Sequence, residues 1–170
     1  VNPIAGTTRS NYAIVPLSSN HELCVYNLKA VDLKVDVIGY FTSGGSGTIV
    51  PAAPTRVTDT RDLYRTEMNL GSNGTMLHAG TTYTLDLGGQ RGIPAAAKSL
   101  SLNVTVVRPT ANGTITVSAC GTSPNVASIT YASGKTVASG MQVKMSPNGE
   151  ICFKASTDMH LVVDVTGWWN

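Results

Sequence analysis

Leu161-Val162-Val163-Asp164-Val165-Thr166-Gly167-Trp168-Trp169 is the stretch that decides the fold. A period of two puts Leu161, Val163 and Val165 on one face and Asp164 on the other, the pattern of a half-buried β-strand. The chain carries the stretch a second time, as Leu33-Lys34-Val35-Asp36-Val37-Ile38-Gly39-Tyr40-Phe41. A shift of 128 positions lays residues 1–41 on residues 129–169 without a gap, with 12 identities in 41 positions. Chance gives about one identity in seventeen, so the match reads as internal duplication, the mark of a repeat array. Gly6, Val15, Ser18, Asn20, Glu22 and Cys24 fall on Gly134, Val143, Ser146, Asn148, Glu150 and Cys152.

The duplication sets the expected domain plan. Residues 42–54, TSGGSGTIVPAAP, pass from a flexible Gly/Ser piece into a stiffer Pro/Ala piece and read as a linker. Residues 55–170 then form a complete repeat, and residues 1–41 are the C-terminal third of a preceding one. Such a fragment lacks part of its core, so either its first part was cleaved away, or another segment or a copy of the chain is expected to supply the missing strands.

Composition agrees with an all-β reading. Charged residues make up 13% of the chain, against the usual ~25%, and Thr, Ser, Val and Gly take their place. β-Branched or alternating runs of strand length occur at 12–17, 22–26, 32–38, 81–87, 99–107, 114–119, 127–131, 141–145, 150–154 and 159–166. Asn112-Gly113, Ser133-Gly134 and Asn148-Gly149 are turn signals between them. Close spacing of such turns predicts an antiparallel β-sandwich, with a jelly-roll-like or barrel closure as the alternative. The net charge of +2 comes from scattered basic residues, which excludes a nucleic-acid footprint. Apolar runs are far shorter than the ~20 residues of a membrane span, so no membrane insertion is expected. Val1 opens no basic and apolar leader, so any export signal is expected to lie upstream or to have been removed.

Three cysteines fit the same plan. Cys120 and Cys152 enclose 33 residues and are predicted to form a disulfide. Cys24 corresponds to Cys152, and the counterpart of Cys120 falls outside the duplicated stretch, so Cys24 is expected to be unpaired or paired with a partner. Nothing near it suggests a catalytic thiol.

Pro54-Thr55-Arg56-Val57-Thr58-Asp59-Thr60-Arg61-Asp62, Gly92-Ile93-Pro94, Leu102-Asn103-Val104-Thr105-Val106, Pro109-Thr110-Ala111-Asn112-Gly113 and the closing Val163-Asp164-Val165-Thr166-Gly167 with two aromatics stand in that order. In this the chain resembles a β repeat module common in secreted actinobacterial proteins. The resemblance departs from the usual pattern at Leu63, where glycine is customary. Such modules stand singly or in tandem on surface proteins or beside extracellular hydrolases, and the resemblance implies a secreted accessory role without defining a ligand.

Asp59, Arg61 and Asp62 form the densest charge cluster and read as a structural ion-pair network, with calcium held by Asp59 and Asp62 as the alternative. Otherwise neither metal nor cofactor is expected. The histidines, His21, His78 and His160, have no metal-ligand spacing, and no Gly-x-Ser-x-Gly elbow occurs. Trp168, Trp169, Tyr40 and Phe41 are candidate aromatics for stacking on a sugar or for an interface. Asn73, Asn103 and Asn112 head sequons that matter only in a glycosylating host. Two functions therefore stand as expectations: an extracellular structural or interaction module of a surface protein or fibre, and a module that binds cell-wall glycan or polysaccharide.

Overall fold

The computed structural model describes residues 5–9, 11, 12, 15, 17–41, 47–61 and 74–170. They contain eight strands and no helix: β1 (Ile49–Asp59), β2 (Thr82–Asp86), β3 (Ser99–Val107), β4 (Gly113–Ala119), β5 (Ile129–Tyr131), β6 (Val137–Lys144), β7 (Glu150–Ala155) and β8 (His160–Trp169). Two antiparallel four-stranded sheets, ordered β1-β8-β3-β6 and β2-β7-β4-β5, pack face to face as a β-sandwich. Pairing β1 with β8, β2 with β7, β3 with β6 and β4 with β5 is what results when one long antiparallel ribbon is rolled, the jelly-roll order. The first arm of that ribbon is β1–β4 and the second is β5–β8. The sheets keep their edges and do not close into a barrel.

Alternation along each strand builds the core. Leu100, Leu102, Val104 and Val106 of β3 and Leu161, Val163 and Val165 of β8 point inward from one sheet. Leu85, Ile115, Ile129, Ile151 and Phe153 meet them from the other. Each such side chain contributes roughly 1.5–3 kcal/mol by leaving water. The Tyr83 ring leans on Phe153 at a centroid distance of 6.3 Å, and its hydroxyl lies 3.0 Å from Thr58 Oγ1, which links β2 to β1 across the two sheets.

Two expectations about boundaries change. β1 begins at Ile49, inside the stretch read as linker, and pairs with the far end of β8 through Ile49 and Trp169. Pro51 and Pro54 hid it, because proline lacks the N–H of a ladder. An edge strand tolerates that loss, and the register shifts between Pro51 and Thr55. A Cβ at Gly167 would lie 2.8 Å from the Val50 carbonyl oxygen, so glycine there is what lets β1 pass so close. The second change is in the N-terminal segment: the described residues of the runs 12–17, 22–26 and 32–38 form no strand. Strands need a ladder of hydrogen bonds to a neighbouring strand, and among the described residues these runs have only the Ser18–Glu22 turn bonds.

Candidate functional site

The 128-residue shift carries residues 1–41 onto β5–β8, the whole second arm of the rolled ribbon. Two of the arm's turns recur with the same geometry. Gly6 has φ 72° and Gly134 has φ 69°; His21 has φ 62° where Gly149 has 80°. Ser18 N–H donates to Glu22 O at 3.0 Å and His21 N–H to Ser18 O at 2.9 Å, matching Ser146 to Glu150 O and Gly149 to Ser146 O, both at 2.9 Å. The Ser18 hydroxyl accepts from Glu22 N–H at 3.1 Å, and the Ser146 hydroxyl accepts from Glu150 N–H at the same distance. Local sequence thus suffices for the bend between the counterparts of β6 and β7.

Beyond the turns the two copies differ in state. Leu33, Val35 and Val37 are 62, 57 and 83% exposed, where Leu161, Val163 and Val165 are 0, 0 and 2% exposed. Leu23 and Val25 are likewise exposed where Ile151 and Phe153 are buried. Cys24 is an exposed free thiol, whereas Cys152 is bonded to Cys120. A Cβ on Gly39 would meet nothing within 4 Å, although its counterpart Gly167 touches β1. Residues 22–27 and 32–41 correspond to β7 and β8, each of which lies between two neighbours in its sheet. Among the described residues neither run has a strand partner on either edge, which makes this arm the site where the chain has most to gain from a partner.

The predicted charge cluster clasps β1 to β8. Asp59 accepts from Arg61 Nε at 2.8 Å, from Arg61 Nη2 at 2.6 Å and from Arg61 N–H at 3.1 Å. Arg56 Nη1 reaches Asp59 at 3.2 Å, and Arg56 Nε donates to Asp164 at 2.9 Å. Arg56 is the member that sequence reasoning missed, since its partner Asp164 lies 108 positions away. Its guanidinium pKa is raised, first by the hydrogen bond to Asp164. With both Asp59 oxygens taken by guanidinium donors, that carboxylate is poorly placed for calcium. Asp62 and Leu63 lie outside the described residues, as does Asn73. Among the described residues no group of three or more His, Cys, Asp or Glu side chains is placed to hold a metal ion.

The Arg61 hydrogen bonds hold the Asp59 carboxyl below the usual carboxylate range. A depressed folded pKa means stability that is fully present above the unfolded value, about 4, and is lost as pH falls through the folded one. Asp59→Asn should lower stability at pH 7 by about 1–2 kcal/mol, the solvent around the half-exposed arginines limiting the loss. It should also flatten the acid side of a melting-temperature profile between pH 7 and pH 2. A variant that keeps the full acid-induced drop would remove Asp59 from the acid response.

Of the candidate aromatics, Trp168 sits opposite Leu100 and packs against the core, and Trp169 is only 8% exposed. Trp168 is half-buried and Trp169 is buried. Tyr40 and Phe41, by contrast, are exposed, at the end of the open arm. No protein-family model and no curated protein matches this chain. Three further titratable groups make contacts within the fold: His160 Nδ1 lies 3.2 Å from Thr60 Oγ1, His78 lies 3.3 Å from Asp158, and Asp158 accepts from Ala79 N–H at 2.7 Å. Asn112 Oδ1 accepts from Ser133 N–H at 2.9 Å and so braces one turn against another. The half-buried disulfide joins the residue after β4 to the outward face of β7.

Proposed function

We propose that this chain is a non-enzymatic extracellular structural and interaction module of a repeat-containing surface protein, fibre or assembly, which joins its neighbour by strand completion through the open arm. One observation carries the reading: residues 17–41 keep the alternation, turn and cysteine of a buried arm and yet stand exposed. Strand addition supplies main-chain hydrogen bonds for affinity and alternating side chains for specificity. The Cys120–Cys152 bond fits an oxidising, extracellular setting. No helix among the described residues is long and apolar enough to cross a membrane. Arg56, Asp59, Arg61 and Asp164 neutralise one another, which favours a mechanical role for that cluster over a catalytic one. For the glycan-binding alternative the burial of Trp169 counts against that ring, whereas Trp168 is half-buried and Tyr40 and Phe41 are exposed.

The test is hydrogen exchange and thiol labelling on the isolated chain. Backbone amides of residues 22–27 and 32–41 should exchange near their intrinsic rates while those of β3, β7 and β8 are protected, and native alkylation should modify Cys24 alone. Strong protection of both runs in the monomer would mean that the arm is already satisfied, and the reading would fall.

A further inference from the structure

We infer that the partner of the open arm is a β1–β4 half-repeat of this same type from outside these 170 residues, and that a second copy of the chain cannot fill the role. The inference rests on the strand-completion reading above and names the occupant.

Strand accounting excludes the copy. The chain holds one first arm, β1–β4, and two second arms, β5–β8 and the segment 1–41 that corresponds to it. Each second arm needs one first arm, because every strand of β5–β8 pairs with its mate in β1–β4. Exchanging arms between two copies leaves two first arms to serve four second arms. Any homodimer built this way leaves as many open arms as two separate monomers.

The complete domain displays what the occupant must carry. An arginine at the place of Arg56 would face Asp36, as Arg56 faces Asp164 at 2.9 Å. A cysteine at the place of Cys120 would lie beside Cys24, as Cys120 lies beside Cys152 with Cα atoms 4.9 Å apart. A β1-like strand would pass over Gly39, where the space is open. Two positions say where the occupant differs from β1–β4 of this chain. Ala30 replaces Asp158, so no His78-like partner is required. His21 replaces Gly149, at which a Cβ would come 2.9 Å from the Gly88 Cα, so the occupant's turn after its second strand must stand further off.

The covalent step is a thiol–disulfide exchange. Cys24 and the occupant's cysteine each lose a hydrogen, one sulfur–sulfur bond forms, and a small-molecule disulfide such as oxidised glutathione takes both hydrogens and both electrons to become two thiols.

Fusing a second copy of residues 47–128 directly ahead of Val1 in a His21→Gly chain, which clears the approach to the added Gly88, supplies the missing arm in register, because Val1 corresponds to Ile129. Refolded with oxidised and reduced glutathione, the fusion should contain two disulfides, with Cys24 bonded to the added cysteine. Amides of residues 22–27 and 32–41 should gain about 100-fold or more protection. With the added copy's Cys120→Ser change, Cys24 stays reactive while that protection persists. Should the fusion aggregate, the same 47–128 segment co-expressed in trans with the His21→Gly chain gives the same two readouts. If Cys24 stays free and both runs stay unprotected in both formats, the inference is overturned. A stable dimer of the unmodified chain with those runs protected would also overturn it, while leaving the strand-completion reading in place. Open runs in the isolated chain that close only with the added arm support both.

Discussion

Phe153→Ala should destabilise the domain by about 3–5 kcal/mol, a large part of what a sandwich of this size has in total. Phe153 is fully buried on β7, the strand between β2 and β4, and it projects into the space shared with Leu102, Val104 and Leu161 of the other sheet. Tyr83 covers one side of the ring and is itself tied to β1 through Thr58, so the substitution also loosens a link between the sheets. No neighbouring main chain is free to collapse into the gap, because β7 is held in its ladders on both sides. Thermal unfolding should show a fall of roughly 10–20 °C. The counterpart in the open arm is Val25, and Val25→Ala should leave the melting temperature of the isolated chain unchanged. A Phe153→Ala shift under about 4 °C, or an equal shift from Val25→Ala, would contradict the division of the two copies into packed and open.

That same division explains what could be read from the sequence. The period of two at 161–165 gave the inward and outward faces of β8, and the run at 99–107 matches β3 to the residue. The glycines of the turns at 134 and 149 do have positive φ, the conformation that glycine reaches without strain. The same alternation at 32–38 predicted a strand that does not form, because periodicity encodes the capacity to pair and the presence of a neighbour decides the state. β1 escaped notice for the opposite reason: two prolines and two alanines carry no pattern, and only the neighbouring β8 makes the stretch extended. The Asp59–Arg61 contact was legible because its members are two positions apart. The Arg56–Asp164 contact depends on the roll of the ribbon, which no local pattern contains. Trp168 and Trp169 read as candidates for stacking or an interface; register places Trp168 opposite Leu100, packed half-buried against the core, and Trp169 is buried.

Replacing Cys120 and Cys152 together by serine should lower stability by about 3–4 kcal/mol and the melting temperature by roughly 10–15 °C, from the entropy returned to an unfolded chain freed of a 33-residue loop. The position of the bond makes the loss more than local. Cys120 closes the first arm of the ribbon and Cys152 lies in the second, so the disulfide ties together the two halves whose pairing creates every ladder of the domain. Thr84 faces Cys152 at 3.5 Å across β2 and β7, and a serine there keeps a hydrogen-bonding group in the same half-buried place. The packing term is therefore small and the chain-entropy term dominates. Cys24→Ser, in the same strand position of the open arm, should change nothing in the isolated chain, because no loop is closed there. In the completed assembly, Cys24→Ser should speed dissociation of the supplied arm under unfolding conditions by as much as the double serine variant destabilises the intact domain. Denaturant titrations of the three proteins decide it: a double variant within 1 kcal/mol of the parent would show that strand pairing alone holds the arms.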